Sequence, residues 1–545
     1  TSMLPLLSCS ALALVLAKSL DVLASDARDL PREQRTLGAV FERSWRLLPS
    51  QGQQLLAKLA IFPGSFRRDA AEQIAGASSL LLRRLFDQSL LRKVDDDRYA
   101  MHRTVHAFAQ QKLQQLPAQI EQCQVHYAHF YLKLLAQLEQ AQTEAAYANV
   151  TGQIEADADN VRAAWRWSVE MGDLPLLELS VGSLQDFYQT VGLYPEAIQL
   201  LEGAVAKVRH AVAMNPDDRQ ARRLLALLFC YTAQFYRLYP RSGELDKGEA
   251  WANEAIALGQ SLSDPALQGL AYHELARIAQ ARYDFAAMRS LSEQACRYGR
   301  LTNLPQLNAE SLNDLGIALC IYTHPLAGVQ YFHEALDCLQ QRPKLTLEVR
   351  IVSNLGLFYL GSHHYQSAYR YLHQRRTQPL FEDWVHKGDL LMALGNYSGA
   401  QQEFAQGLAL AQSRQMPYWE CWLHASSGRL QRLLGDATSA QAVCRMAHQM
   451  AQSAGNQFVA QWSLINVGHA LAALGENVAA ATCYQQAIAS SKGGNWFYAP
   501  TDAHAGLAAL CLSQNDVAAA IPHVKAALSF LTKYGLAAAR EPFVV

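Results

Sequence analysis

The sequence predicts an all-α protein: a long α-solenoid of helical hairpins, preceded by a small domain of short helices and one β-hairpin. A recurring phrase and the composition predict it. In the phrase, Leu355-Gly356 opens a helix, Tyr359 follows three residues after the glycine, and Ala368 starts a second helix that carries Leu372. The pattern recurs upstream at Leu315-Gly316 with Gly328, Phe332 and Ala335, and at Leu275-Ala276 with Met288 and Ala295. Downstream it recurs at Gly388 with Phe404, Gly428 with Cys444, Val467-Gly468 with Tyr484, and Leu507-Ala508 with Val524. Small residues recur where two helices must approach closely, and large ones recur where the cleft between them needs filling. Self-similarity at a fixed spacing of this kind signals a solenoid. The composition agrees, since half of the 545 residues are apolar and charge is modest.

The formal net charge of −1 excludes a globally basic nucleic-acid binder and an acidic disordered tail. Ten cysteines are scattered without a C-x-x-C pair, which reads as buried reduced thiols in a cytoplasmic protein. Met3 to Leu16 is apolar but shorter than the roughly 20 residues a membrane span needs. No positive segment precedes it, so a buried helix is expected and no membrane association.

Taken in order, residues 1–35 read as a helical remnant ending in a charged linker with Pro31. Residues 36–116 read as a small winged-helix domain. Its first helix puts Val40, Phe41, Trp45 and Leu48 on one face. Pro49-Ser50 makes a turn with Ser50 expected as N-cap. A second helix runs from Leu55 to Phe62. Arg68–Ile74 and Leu80–Leu91 are read as two further helices. Lys93 to Met101 has the form of a hairpin with Asp95-Asp96-Asp97 at its tip, and His102 opens the next helix through Leu113. Residues 117–180 read as a helical connector, with Trp165 in the apolar stripe of its last helix. Residues 181–545 read as the repeat array. It starts with a degenerate unit over Gly182–Val205 and a second over Leu224–Leu258 that carries an insertion around Pro240-Arg241-Ser242. The tail from Lys533 shows no obvious cap.

The repeat phrase resembles the tetratricopeptide repeat, which places a small residue on its first helix, two on its second and an aromatic between them. The usual period is about 34 residues. Here most steps are forty, an extended version. The resemblance covers residue 182 to the C-terminus and implies a right-handed superhelix that binds a protein or peptide in its inner groove. A second resemblance rests on SWRLLPSQGQQLLAKLAIFPGSF, LLLRRLFDQSLLRK, RYAMHRTVHAFAQQKL and IEADADNVRAAWRWSVEMGD. Together these are similar to the winged-helix segment of the NB-ARC, or STAND, class of nucleotide-switched signalling proteins and its join to repeats. The family's Met-His-Asp-like motif, whose histidine touches the nucleotide phosphate in the resting state, is matched by Met101-His102. Arg103 replaces the acidic third residue. No Gly-Lys dipeptide occurs in the chain, so the phosphate-cradling P-loop is absent. The chain alone is expected to hold no cofactor. ATP or ADP enters only through an upstream nucleotide-binding module, which is either missing from this sequence or lost, and His102 is the residue that would sense it.

Other candidate chemistry is thin. His102 and His106 have metal-ligand spacing, but Arg103 stands where a zinc protease has glutamate. No nucleophile elbow or reactive-cysteine signature occurs, and no enzyme activity is expected. Arg83-Arg84 lies on a candidate recognition helix, while the acidic hairpin tip would repel a phosphate backbone. His363-His364 falls at a helix–helix turn. In consecutive repeats Trp422 and Trp462 lie six residues before the small position, and Arg429 and His469 lie one after it. Stacked on the inner helices, these four would form an aromatic and cationic ladder for a peptide or anionic partner. The expected function is the sensor region of a STAND-type regulator. Two alternatives stand beside it: a transcriptional regulator contacting DNA through the winged helix, and a stand-alone scaffold.

Overall fold

The computed structural model describes residues 37–534, apart from 142, 240–243, 283, 303, 324–325, 342–344, 374–380 and 492–497. The expected remnant over residues 1–35, the insertion at Pro240-Arg241-Ser242 and the tail from residue 535 lie outside the described residues. The chain divides into two compact units. One comprises residues up to 140 with 149–184, and the other comprises 141–148 with 185 onward.

The first unit begins with α1 (Leu37–Leu47) and α2 (Ser50–Leu59). Ser50 is the first helical residue of α2 and not its cap. Pro49 holds the N-cap position at φ −61°, ψ 155°, and its carbonyl accepts from Gln53. Proline's fixed φ suits the extended backbone that a cap requires, and no side-chain bond is made because its ring carries no acceptor. Strand β1 (Phe66–Arg67) leads into α3 (Arg68–Ala75), which stops at left-handed Gly76. Helix α4 (Ser79–Asp87) is capped by the Ser78 hydroxyl, which accepts from Leu81. It ends at Asp87, short of the expected Leu91, because Ser89 takes a left-handed φ of 58° and turns the chain so that Leu90 and Leu91 are buried. Strands β2 (Arg92–Asp95) and β3 (Arg98–Ala100) form the expected hairpin, and β1 adds to it in the antiparallel order β1-β3-β2. Helix α5 (Arg103–Gln114) begins directly after His102, and α6 (Pro117–Ala136) follows.

A buried aromatic group forms much of this core. Phe62 stacks on Phe66 at 4.5 Å and meets Tyr127 and Tyr131 edge-on. The segment expected as a connector, residues 117–180, supplies α6, α7 (Glu144–Ala156), α8 (Ala158–Met171) and the first part of α9 (Leu174–Val191). Asp157, immediately before α8, accepts two bonds from Arg98 of β3, each 2.9 Å long. Asn160 donates to Ser65 and to Asp157. This polar network is buried and ties α8 to the sheet.

The second unit is an array of antiparallel helix pairs. After α10 (Tyr194–Met214) come α11 (Arg219–Leu238) with α12 (Glu244–Leu262), α13 (Pro265–Ala281) with α14 (Phe285–Thr302), and α15 (Pro305–Tyr322) with α16 (Val329–Gln341). Next are α17 (Leu345–Gly361) with α18 (Tyr365–Leu372), α19 (Phe381–Ala393) with α20 (Tyr397–Ser413), and α21 (Pro417–Leu433) with α22 (Ala437–Ser453). The last are α23 (Gln457–Ala473) with α24 (Asn477–Ser490), and α25 (Tyr498–Ser513) with α26 (Val517–Tyr534).

The recurring phrase does the work expected of it. Gly316, Gly356 and Gly468 each face a large side chain sixteen residues later: Phe332, Leu372 and Tyr484. A Cβ on those glycines would stand 2.9, 2.5 and 2.6 Å from these side chains. Gly388 and Gly428 face Phe404 and Cys444 in the same way. Each large residue is at most 2 % exposed, so the glycine is what lets the two helices close over it. The turns inside the pairs are equally regular. Gly395 and Gly435 adopt φ of 77° and 88°, and the next residues, Asn396 and Asp436, cap the second helices through their side chains. A left-handed residue ends one helix and an Asx cap starts the next, which makes a tight reversal.

Candidate functional site

The first helices of successive pairs, α11, α13 and so on to α25, pack directly side by side as one layer of the array. What they present is partly polar, and that is unusual for so buried a surface. Relative to the small residue of each repeat, the positions three and two before it carry His273 and Glu274, Asn313 and Asp314, then Ser353 and Asn354. His273, Glu274, Asn313 and Asp314 are 6 % exposed or less.

These residues meet across helices. Asp314 accepts from Arg277 at 3.1 Å, and His273 Nδ1 lies 2.9 Å from its other carboxylate oxygen. His273 Nε2 lies 3.8 Å from Glu274 and 3.9 Å from Glu310. Asn354 donates to Asn313 at 2.8 Å. Burial by itself would raise the pKa of Asp314, but Arg277 and His273 hold it down to about 2. Burial alone would lower that of His273, yet Asp314 and the neighbouring glutamates carry it upward overall. Burial raises that of Glu274. The cluster is therefore an anionic and cationic mosaic in low dielectric, where charges interact strongly.

Further along the layer, rings replace charges. Phe381 stacks with Trp419 at 6.0 Å, Trp419 meets Trp422 at 6.2 Å, and Trp422 stacks on Phe458 at 5.2 Å. Trp422 and Trp462 meet at 6.3 Å. Of the two, Trp462 is 4 % exposed and Trp422 is half-buried. Arg429 approaches Asp389 of α19 at 4.0 Å, and His469 shares a 2.8 Å bond with the Tyr484 hydroxyl. The structure thus sets the two tryptophans against each other. Arg429 and His469 are directed to partners on other helices.

The array also contacts itself over a long range. Arg414, at the end of α20, donates to the Thr190 and Val191 carbonyls that finish α9, at 3.3 and 2.8 Å. Thr346 donates to Asp186, which also accepts from Tyr147.

His102 is exposed. Its Nδ1 accepts from the Thr104 amide and lies 2.8 Å from the Thr104 hydroxyl, which makes it the N-cap of α5. His106 points elsewhere and donates from Nε2 to the Phe62 carbonyl at 2.9 Å. Burial lowers its pKa. Among the described residues no cluster of three or more His, Cys, Asp or Glu is placed to hold a metal. No disulfide joins the described cysteines, and no described helix is long and apolar enough to cross a membrane.

The chain matches no family model. It is 31 % identical over 262 residues to proteins of Mycobacterium bovis and Mycobacterium tuberculosis provisionally named HTH-type transcriptional regulators. The match covers 45 % of this chain and 28 % of those proteins. Among solved structures, it is similar to a Pyrococcus horikoshii signal transduction ATPase with numerous domains that carries a tetratricopeptide repeat sensor. That similarity has 14 % identity and a TM-score of 0.42, and covers 97 % of this chain and 69 % of that one. The apo quorum sensor NprR of B. thuringiensis aligns at 12 % identity and a TM-score of 0.41, over 68 % of this chain and all of that one. The chain therefore spans little more than a quarter of the length of the curated relatives it matches.

Proposed function

We propose that this chain is the partner-recognising sensor region of a STAND-type signalling regulator. The repeats, read as a right-handed tetratricopeptide superhelix, receive a protein or peptide on their inner layer. Residues 36–116, read as a winged helix, relay that event to a nucleotide-binding module of a longer protein in the cytoplasm. His102 would meet the nucleotide there. The reading gives this chain neither catalysis nor a cofactor of its own. The observation that carries it is the layer of first helices, where successive helices present polar and aromatic side chains in register instead of a uniformly apolar surface. A rigid array of this kind recognises by shape settled before the partner arrives, which limits the entropy lost on binding.

Affinity capture with the chain, compared with Trp422→Ala and Arg429→Ala, tests the reading. Specific partners that are recovered by the parent and lost by the variants support it. Failure to recover any specific partner under varied conditions refutes it.

The DNA-binding alternative draws on the name of the mycobacterial relatives. Against it, Arg83 lies near Asp87, and Lys93 is bonded to Asp96 at the acidic hairpin tip. A gel shift on random DNA at low salt separates the two readings, since retention would favour DNA.

A further inference from the structure

The last helix pair carries a polar contact that its packing does not require. His504 of α25 and His523 of α26 set their Nδ1 atoms 3.1 Å apart, with ring centroids at 5.3 Å. One ring therefore carries the shared N–H and the other accepts it, and both nitrogens are directed at the same point between the two helices. Both residues are half-buried.

Stability does not account for the two imidazoles. Forty residues earlier the equivalent positions hold Leu464 and Cys483, both packed against the apolar cluster of that hairpin. Eighty residues earlier they hold His424 and Val443. The fold thus accepts apolar side chains at both places, and replacing both partners of a hydrogen bond by apolar groups of like shape is nearly neutral or stabilising. Imidazole nitrogens that converge from two helices suit a transition-metal ion instead. A tetrahedral ion with bonds of about 2.0–2.1 Å holds two ligand nitrogens about 3.3 Å apart, so the rings need part by only about 0.2 Å.

We propose that His504 and His523 form a site for a divalent late first-row transition cation, held by both Nδ1 atoms with water in its remaining positions. Among the described residues no third His, Cys, Asp or Glu completes a metal-sized group, so water supplies the rest. Alanines one turn away, Ala508 on α25 and Ala519 and Ala527 on α26, leave room for it. When the ion enters, the shared proton moves through water to Nε2 of its own ring. Both Nδ1 lone pairs then face the metal and no proton is lost. The ion fastens α25 to α26. This site is independent of partner recognition, which stands or falls on its own test.

The full chain, stripped with a chelator and dialysed, is titrated with Zn²⁺ and separately with Mg²⁺. Calorimetry is expected to show a Zn²⁺ site, and the thermal midpoint of the repeat unit should rise with Zn²⁺ but not with Mg²⁺. His504→Leu and His523→Val copy side chains of the earlier hairpins. Each should weaken the site about a hundredfold, since changes merely beside a ligand already cost about 10–100-fold, and each should abolish the rise in midpoint. His424→Leu should change neither. The electron paramagnetic resonance spectrum of Cu²⁺ bound to the parent should show two nitrogen ligands, and any other number overturns the site. Zn²⁺ binding that is equal in the parent and both variants, or lost equally in His424→Leu, is an adventitious ion only and overturns it. Absence of Zn²⁺ binding by the parent overturns it too. If His504→Leu does not fold, His523→Val decides with the spectrum.

Discussion

Replacing Asp157 with asparagine should unfold the first unit well before it disturbs the repeats. The Arg98 and Asp157 side chains are 9 % and 1 % exposed, and the pair is bidentate with both bonds at 2.9 Å. Asparagine keeps the shape and one acceptor oxygen but removes the charge. Arg98 would then be a buried cation beside the Ala156 carbonyl and the Ser65 hydroxyl, which accept from it but carry no charge. Leaving one member of a buried pair alone costs about 3–5 kcal/mol. At roughly 3 °C per kcal/mol for a unit of this size, the first transition should fall by about 10 °C. Scanning calorimetry of wild type and variant reads this directly. The loss should persist in concentrated salt, because the pair is shielded from screening ions. Arg98→Met with Asp157→Leu should recover most of it. A loss under about 1 kcal/mol in the single variant, or no recovery in the double, would refute the account.

Other outcomes follow from the same geometry. Gly468→Ala would normally stabilise a helix by up to about 1 kcal/mol. Here the new methyl meets the Tyr484 ring, so a loss of about 1–3 kcal/mol is expected in urea unfolding, with the His469 bond disturbed as well. The repeat unit should lose stability as pH rises. His273 has a raised folded pKa, so its contribution is complete below its unfolded value near 6.5 and fades as pH climbs through the folded one. Glu274, raised by burial, acts in the same direction from lower pH, and Asp314 loses its contribution only as pH falls toward about 2. His273→Gln should flatten the unfolding midpoint between pH 6 and 8. Arg414→Ala removes two charge-assisted bonds to the end of α9, so amide exchange at the Val191–Gly192 junction should quicken about tenfold or more.

Much of the repeat region is legible in the chain because its contacts are local. A glycine and the large residue sixteen positions later belong to one hairpin, so the spacing records the contact, as Gly316 with Phe332 and Gly356 with Leu372 illustrate. The candidate site is harder to read. The ladder positions pick out Trp422, Trp462, Arg429 and His469. The polar residues three and two positions before each small residue escape notice, although His273, Asn313 and Asn354 carry the signal. Scanning every phase of the repeat for recurring polar residues would have found them. Ser50 misleads for a different reason: cap preference is a property of the residue, whereas the backbone already set by Pro49 decides which position is the cap.

The sequence by itself determines the hairpin, the period, the glycine contacts and the turn chemistry of Gly395-Asn396 and Gly435-Asp436, since each lies within one or two helices. Only the tertiary structure decides that Arg98 meets Asp157, that Arg414 closes on α9, and that His273 and Arg277 are brought against Asp314. Those outcomes depend on how many small rotations between neighbouring helices accumulate. No single stretch of residues encodes that sum.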